Sequence, residues 1–455
     1  MTYEIFRSFE DSPVGEIPKV WQLLKLGDLG KIVTGKTPST KVPEYFGGSE
    51  PFITPSDMDG RKTISRTVRY LTEEGVNAVK SAFIPAGTII VSCIGSDMGK
   101  VACAIRNSVT NQQINSIIVS VRYSKEYVYY NLSSRKEELQ NLAGGGSAVP
   151  ILNKGDFSQL EILLPHSLSE QREIAHILST LDDKIELNQQ MNRNLEALAQ
   201  AIFKSWFVDF DPVRAKMEGC QPVGMDAETA TLFPNAFEDS PLGKIPKGWK
   251  VVLLPEVAAV LDCLHTKKPS DIGQGKLLLQ VWNIADAGKL DLSKQYFVSD
   301  EDYKLWTSRI EVHEGDCVIT NVGRVGAVAQ IPHKVRAAIG RNMTAIRCRP
   351  GYLTPTYLVE YLLSSAMREE IELKTDSGTI LDSLNVRGIE QLRLVIPPTR
   401  IMNAFEEKAR PLRHHIELNI QEGELLATIR DALLPKLMSG EIRVKEAEQL
   451  LAAAA

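Results

Sequence analysis

The sequence predicts an α+β protein with an internal two-fold repeat. Two tandem mixed α/β domains are separated by two long antiparallel helices that form an intramolecular coiled coil. Three observations predict this. Phe9–Trp21 reads FEDSPVGEIPKVW and Phe237–Trp249 reads FEDSPLGKIPKGW, identical at ten of thirteen positions at an offset of 228. Each copy then has short apolar, β-branched runs punctuated by glycine, proline and asparagine, a strand-rich texture. Each copy ends in a long segment of helical periodicity.

Taken in order, the domain at 1–165 opens on the FEDSP segment. Its clearest strand is Gly87-Thr-Ile-Ile-Val-Ser-Cys-Ile-Gly95, which matches Gly315-Asp-Cys-Val-Ile-Thr-Asn-Val-Gly323 at 228. Gly146-Ser147, Leu152-Asn153 and Leu160…Pro165 match Gly378-Thr379, Leu384-Asn385 and Leu392…Pro397 at 232. Small loop insertions produce such a drift. Two copies of about 230 residues indicate a duplicated domain rather than a solenoid.

A spacer helix is expected over 166–215, because Glu170–Phe207 lacks proline and glycine. Ile174, Leu178, Leu181, Ile185, Leu195, Ala199, Ile202 and Trp206 follow steps of four and three once Asn188 and Asn192 fill the seam. Thirty-eight helical residues span roughly 57 Å at 1.5 Å per residue. After the second domain at 216–397, a second helix over 398–444 repeats the seam less regularly, with Pro411, Gly423 and Pro435 expected to bend or fray it. Residues 445–455 read as a tail. Asn188 and Asn419 occupy equivalent seam places and are expected to fix register.

The bulk features exclude several classes. Apolar residues at 43% and charged residues at 24% suit a globular protein. The longest apolar runs, such as Thr88–Ile94, are too short to span a bilayer, and MTYEIFRSFEDS has no leader-like apolar region. Six scattered cysteines without a C-x-x-C pair read as reduced buried thiols, so a cytoplasmic location is expected. His414-His415 are adjacent and poorly placed to share a metal on a helix, and no metal site is expected.

Catalytic signatures fail too. Gly30-Lys-Ile-Val-Thr-Gly-Lys-Thr37 fits G-x-x-x-x-G-K-[ST], but Pro38 and Pro43 oppose the helix that a phosphate cradle requires. The matching stretch Thr266-Lys267-Lys268-Pro269-Ser270 keeps K-x-P-S and loses both glycines. No G-x-S-x-G elbow is present, Asp211-Pro212-Val213-Arg214 only partly resembles an amino-methylation motif, and Glu406-Glu407-Lys408 falls in a helix rather than on a nuclease strand. Gly144-Gly145-Gly146 reads as a loop.

The net charge of -5 argues mildly against nucleic acid, but charge is local. Residues 98–125 hold Lys100, Arg106, Arg122 and Lys125 and no acid. Residues 323–349 hold Arg324, Lys334, Arg336, Arg341, Arg347 and Arg349 and no acid. Both follow the glycine-bounded strand and carry amides, Asn111-Gln112-Gln113 and Asn342. Arginine and lysine neutralise phosphates, and Asn, Gln and Arg read base edges. Lys36, Lys100, Lys267 and Arg324 are therefore expected near phosphates, and Gln112, Gln113, Arg341 and Asn342 near bases. Thr37, Ser39, Lys268, Ser270 and Asn321 complete the expected DNA-binding set.

These residues carry a resemblance. Ile17-Pro18-Lys19 with Trp21, Gly35-Lys-Thr-Pro-Ser39, Tyr45-Phe-Gly-Gly48, Ser56-Asp57 and Asn111-Gln-Gln-Ile114 resemble the specificity subunit of type I DNA restriction-modification systems. So do Glu170-Gln-Arg-Glu-Ile174, Leu195–Phe210 and the closing Leu433-Leu-Pro-Lys-Leu437 with Ser439-Gly-Glu-Ile442, and the resemblance covers nearly the whole chain. The second domain's first loop departs from the family's glycine-rich form. The resemblance implies two target-recognition domains, each reading half of a split, asymmetric double-stranded DNA sequence. It implies helices that set the gap and dock methyltransferase subunits. No catalysis and no cofactor are expected on this chain. S-adenosylmethionine is expected on the methyltransferase partner, and ATP with Mg2+ on an ATP-dependent restriction/translocase partner. The alternatives are a P-loop nucleotidase or stand-alone nuclease, and a coiled-coil adaptor with no nucleic-acid role.

Overall fold

The structure, a computed structural model, describes residues 9–12, 15–18, 20–142, 151–376 and 382–454. Lys19, Gly144, Gly145, Gly146, Ser147, Gly378 and Thr379, named above, lie outside the described residues. The chain forms two compact units, Met1–Leu187 with Glu422–Ala455, and Asn188–Gln421. Each therefore holds one repeat domain and one half of each long helix.

In the first unit, Phe9–Ser12 and Gly15–Pro18 pair as a hairpin. Trp21–Lys25 then pairs antiparallel with Glu161–Pro165, which ties the two ends of the domain together. A five-stranded sheet runs in the order Gly30–Thr34, Ile114–Val119, Ile89–Ser92, Val101–Ala104, Thr63–Ile64. Its middle strand, Ile89–Ser92, is buried at every position, as a continuous β-branched run requires. A second sheet is ordered Arg69–Leu71, Phe46–Ile53, Ser108–Thr110, Phe83–Ile84.

The second unit repeats this plan. Lys250–Leu253 pairs with Arg393–Ile396. A sheet runs Ala258–Asp262, Met343–Cys348, Cys317–Thr320, Val328–Gln330, and another runs Phe297–Val298, Lys276–Leu279, Ala338–Ile339. Each domain's smaller sheet keeps one parallel pair, Phe52 opposite Val109 and Leu278 opposite Ala338.

The repeated residues have matching physical roles. Leu152 and Leu384 are buried. The asparagine after each caps a short helix: Asn153 accepts from the Asp156 amide at 3.0 Å, and Asn385 from the Gly388 amide at 2.8 Å. Tyr127 donates to the Leu163 carbonyl at 2.9 Å and Tyr357 to that of Val395 at 2.6 Å, so each ring fills a core while its hydroxyl closes on the terminal strand pair.

The first long helix is Leu168–Phe207 and the second Thr399–Ser439. Within the first unit, Ile174, Leu178 and Leu181 share a core with Leu433 and Leu437. Within the second, Ala199 is buried, and Phe203 and Trp206 share a core with Phe405 and Ala409. The start of one helix thus meets the end of the other in each unit, and the pair is antiparallel.

Four expectations need correction. The first helix does not continue to 215: Phe210 adopts φ 56° and Pro212 begins a separate helix, Asp211–Met217, with Trp206, Phe207 and Phe210 packed into the second domain's core. The second helix is not interrupted at Pro411, Gly423 or Pro435. Pro411 and Pro435 face solvent, so the carbonyls they leave without an amide partner can be hydrated. It ends at Ser439, where Gly440 takes the left-handed φ of 75° that stops helices. The expected tail is a helix, Val444–Ala454, with Ala447 buried in the first unit's core. Of the two register asparagines, Asn188 is buried, and Asn419 Nδ2 donates across the helices to Asn192 Oδ1 at 2.9 Å. Opposed helices place side chains face to face by axial height, which equivalence along the sequence does not report. Among the cysteines, Cys93, Cys263 and Cys317 are buried, but Cys220 is exposed.

Candidate nucleic-acid interface

The first domain builds one edge from two segments distant in sequence. After the strand Gly30–Thr34, the Gly35 amide donates to the Ile114 carbonyl at 3.0 Å and the Lys36 amide to that of Thr110 at 2.8 Å. The loop therefore lies on the Asn111–Ile114 turn. Gly35 is required there, since a Cβ would stand 1.9 Å from the Asn111 carbonyl oxygen. Thr37 donates to Gln112 Oε1 at 2.5 Å, joining two expected contact residues. Lys36, Ser39 and Gln112 are exposed beside them. The same bonds exclude a phosphate cradle, because the Gly35 and Lys36 amides are already donated to the sheet.

Two residues of this set are more committed than expected. Asn111 donates to Gln113 Oε1 at 2.9 Å, and the Gln113 carbonyl accepts from Cys93 at 2.7 Å, so Gln113 belongs largely to the framework. Lys100 pairs with Asp97 at 2.8 Å and reaches the Pro55 carbonyl at 3.4 Å.

The second domain presents the matching edge. Lys267, Ser270, Arg341 and Asn342 are exposed, and Asn342 takes the left-handed φ of 64°. Asn321 is instead buried at 8% exposure. It sits just past the buried strand Cys317–Thr320, and its side chain donates to the Leu384 carbonyl at 2.9 Å and to Thr344 at 3.1 Å. That is an interior bridge rather than a contact surface. Arg324 pairs with Asp286 and donates to the Ile284 carbonyl at 2.8 Å.

The acid-free stretch is not acid-free in space. Arg336 meets Glu311 at 3.1 Å, and Arg347 meets buried Asp316 at 2.6 Å. Arg341 makes no ion pair among the described residues.

An aromatic cluster was missed from sequence. Lys268 lies 3.9 Å from the Tyr296 ring centre and 4.9 Å from that of Trp282, and Lys294 lies 4.9 Å from the Trp282 centre. Partial burial of the Lys268 ammonium lowers its pKa. Tyr296 donates to the Pro269 carbonyl at 2.6 Å, clasping the K-x-P-S turn. The structure, rather than the sequence repeat, places Trp282 where the first domain has Ser56, each in the middle of a 3-10 turn. Asp262, Cys263 and His265 offer ligand atoms within 4.8 Å of one another. The Asp262 oxygen that would ligate an ion is held by His265 at 2.7 Å and Arg309 at 3.7 Å.

No helix among the described residues is long and apolar enough to cross a membrane.

Comparison with known proteins places the chain in a family. The model of the type I restriction modification DNA specificity domain matches residues 18–197. The type I restriction enzyme MjaIX specificity subunit of Methanocaldococcus jannaschii is 31% identical over 453 residues, covering 96% of this chain and 97% of that protein. The HindI specificity subunit of Haemophilus influenzae is 38% identical over 176 residues, 37% of this chain and 38% of the relative. The crystal structure of the type I restriction-modification S subunit from M. genitalium shares the fold, with a TM-score of 0.56, 15% identity and coverage of 92% of this chain and 96% of that one. With the repeat, the paired helices and full-length similarity in place, the chain belongs to the type I restriction enzyme specificity subunits.

Proposed function

We propose that this chain chooses the DNA sequence on which a type I restriction-modification complex acts, each domain reading one half of a split asymmetric target. The observation that carries the proposal is the duplicated edge. One chain presents Lys36, Thr37, Ser39 and Gln112 on one domain and Lys267, Ser270, Arg341 and Asn342 on the other, each set at the margin of an equivalent sheet. Cations and amides on a rigid sheet margin suit phosphate positioning and base-edge reading. Unlike edges on like frames suit an asymmetric target.

The two long helices set the gap between half-sites and dock methyltransferase subunits. Met191 and Leu198, seven residues apart on the first helix, are exposed, as are Leu418 and Leu425 on the second, which gives each helix an apolar stripe a partner can cover. The chain itself is non-catalytic. S-adenosylmethionine belongs to the methyltransferase partner, and ATP with Mg2+ to the translocase partner.

The test is a matched deletion of one heptad from each long helix, followed by methylation-sensitive sequencing of a genome expressing the variant with its methyltransferase. Seven residues are about 10 Å of helix, so the spacer should change by about 3 base pairs with both half-sites unchanged. An unaltered motif would remove the ruler from the proposal.

A further inference from the structure

The two domains share a turn on which they differ most in chemistry. In the first, Pro55–Asp57 is a 3-10 turn in which the Thr54 amide donates to Asp57 Oδ2 at 2.8 Å. In the second, Val281–Asn283 is the same turn, with the Gln280 amide donating to Asn283 Oδ1 at 2.8 Å. The middle residue is exposed Ser56 in one and Trp282, 45% exposed, in the other. Nothing in the turn needs an indole, since serine serves at the matching place.

The indole is held in position. Lys268 and Lys294 each stand 4.9 Å from its ring centre, Tyr296 packs at 6.4 Å with the planes tilted by 58°, and its Nε1 donates to the Lys294 carbonyl at 3.4 Å. Arg324 reaches the Ile284 carbonyl two residues on, so this turn sits beside the second domain's expected contact residues. A large aromatic that is half in water, with two ammonium groups over its ring that can swing to a phosphate, is built for a partner with aromatic faces and negative charge. Nucleic acid has both.

We infer that Trp282 is a specificity-determining residue of the second half-site, stacking on an opened base step while Lys268 and Lys294 neutralise the flanking phosphates. The inference rests on the DNA-reading function proposed above and adds a mode of reading to it. An aromatic that enters a base step selects steps that unstack easily, so the second half-site is read partly through deformability. The first domain, with Ser56, has no such element at this turn.

The test uses the complete complex with its methyltransferase and a duplex carrying the motif identified by methylation mapping, with 2-aminopurine placed in turn at steps of each half-site. Trp282→Ala should weaken binding about tenfold, and Trp282→Phe should keep most of the affinity. The wild-type complex should raise 2-aminopurine fluorescence at one step of the second half-site, and Trp282→Ala should abolish that rise. Ser56→Ala should change neither readout. Lys294→Ala should reduce the salt slope of binding by about one unit. If the wild-type complex does not discriminate the motif from random duplex, the DNA-reading function falls. If it does, and Trp282→Ala folds with unchanged melting temperature, affinity and fluorescence, the inference about Trp282 alone is overturned. Equal weakening by Trp282→Phe and Trp282→Ala, with no fluorescence change, also overturns it.

Discussion

The two domains keep the same need and meet it with different residues. The carbonyl of Leu152 in the first and of Leu384 in the second lies at the same place beside the central sheet. In the first domain Asn115 Nδ2 donates to it at 3.1 Å. In the second the donor is Asn321, at 2.9 Å. The repeat equates Asn321 with Cys93 and Asn115 with Thr344, so the amide has moved to the neighbouring strand. What the duplication retains is satisfaction of a buried carbonyl, since an unpaired one is costly. The residue that satisfies it drifts. Burial pushes the Cys93 thiol up to about 11, so in the first domain this position is an inert apolar filler. Recognition edges differ by the same logic: Gly35, pressed against the Asn111 carbonyl, corresponds to Cys263, which carries a side chain.

This comparison can be broken at four places. The largest effect is expected at Gly35→Ala. No Cβ fits there, so the loop must lift, at about 3 kcal/mol or more. Cys263→Ala at the matching position should cost about 1 kcal/mol. Denaturant unfolding of both measures the difference, and equal costs would mean the two loops are not built differently.

Next is the migrated amide. Asn115→Thr should strand the Leu152 carbonyl and destabilise by about 2 kcal/mol. Adding Cys93→Asn recreates the second domain's arrangement and should recover most of that loss. A double-mutant cycle reads the coupling, and strict additivity would show that the two arrangements are not interchangeable.

The helix seam comes third. Asn419→Leu should leave Asn192 Oδ1 without the donor that Asn419 supplies and cost about 1–2 kcal/mol. Asn192→Leu with Asn419→Leu should restore stability while loosening register, read as a broader distribution of distances between spin labels on the two helices. In the first unit the seam is tied differently, by Arg430 to Asp182 at 2.7 Å with Tyr130 donating to the same carboxylate at 2.6 Å. The double leucine variant should leave amide exchange there unchanged.

The smallest effect tests sameness. Tyr127→Phe and Tyr357→Phe each remove one hydroxyl donated to a terminal-strand carbonyl, and each should lower stability by about 1 kcal/mol. A difference above about 1 kcal/mol between them would show that the two cores have diverged in structure as well as sequence.

Much of the fold was legible because it is periodic or duplicated. Of the seam positions, Ile174, Leu178, Leu181, Ala199 and Trp206 are buried, as helical spacing requires, while Ile185, Leu195 and Ile202 are half-buried. Ile89–Ser92 and Cys317–Thr320 are fully buried strands, as their unbroken apolar runs imply. The recognition edge was less legible. Thr37 and Gln112 were named separately, and only the sheet shows that they touch. Asn321 was misread because a polar residue after a strand gives no sign of which way it faces. Arg336 and Arg347 were counted as free charge because their acids, Glu311 and Asp316, lie just outside the stretch in sequence and directly opposite in space.

The sequence by itself determined the duplication, the strand-rich domains and the two long helices. Those depend on local spacing and on whether a chain can bury a given face, both written in consecutive residues. Only the tertiary structure decided which asparagines meet across the helices, which cations keep their charge exposed, and that Lys268, Lys294, Tyr296 and Trp282 form one cluster. Those are pairings between residues far apart along the chain. They are fixed by strand register and helix height, neither of which leaves a periodic mark.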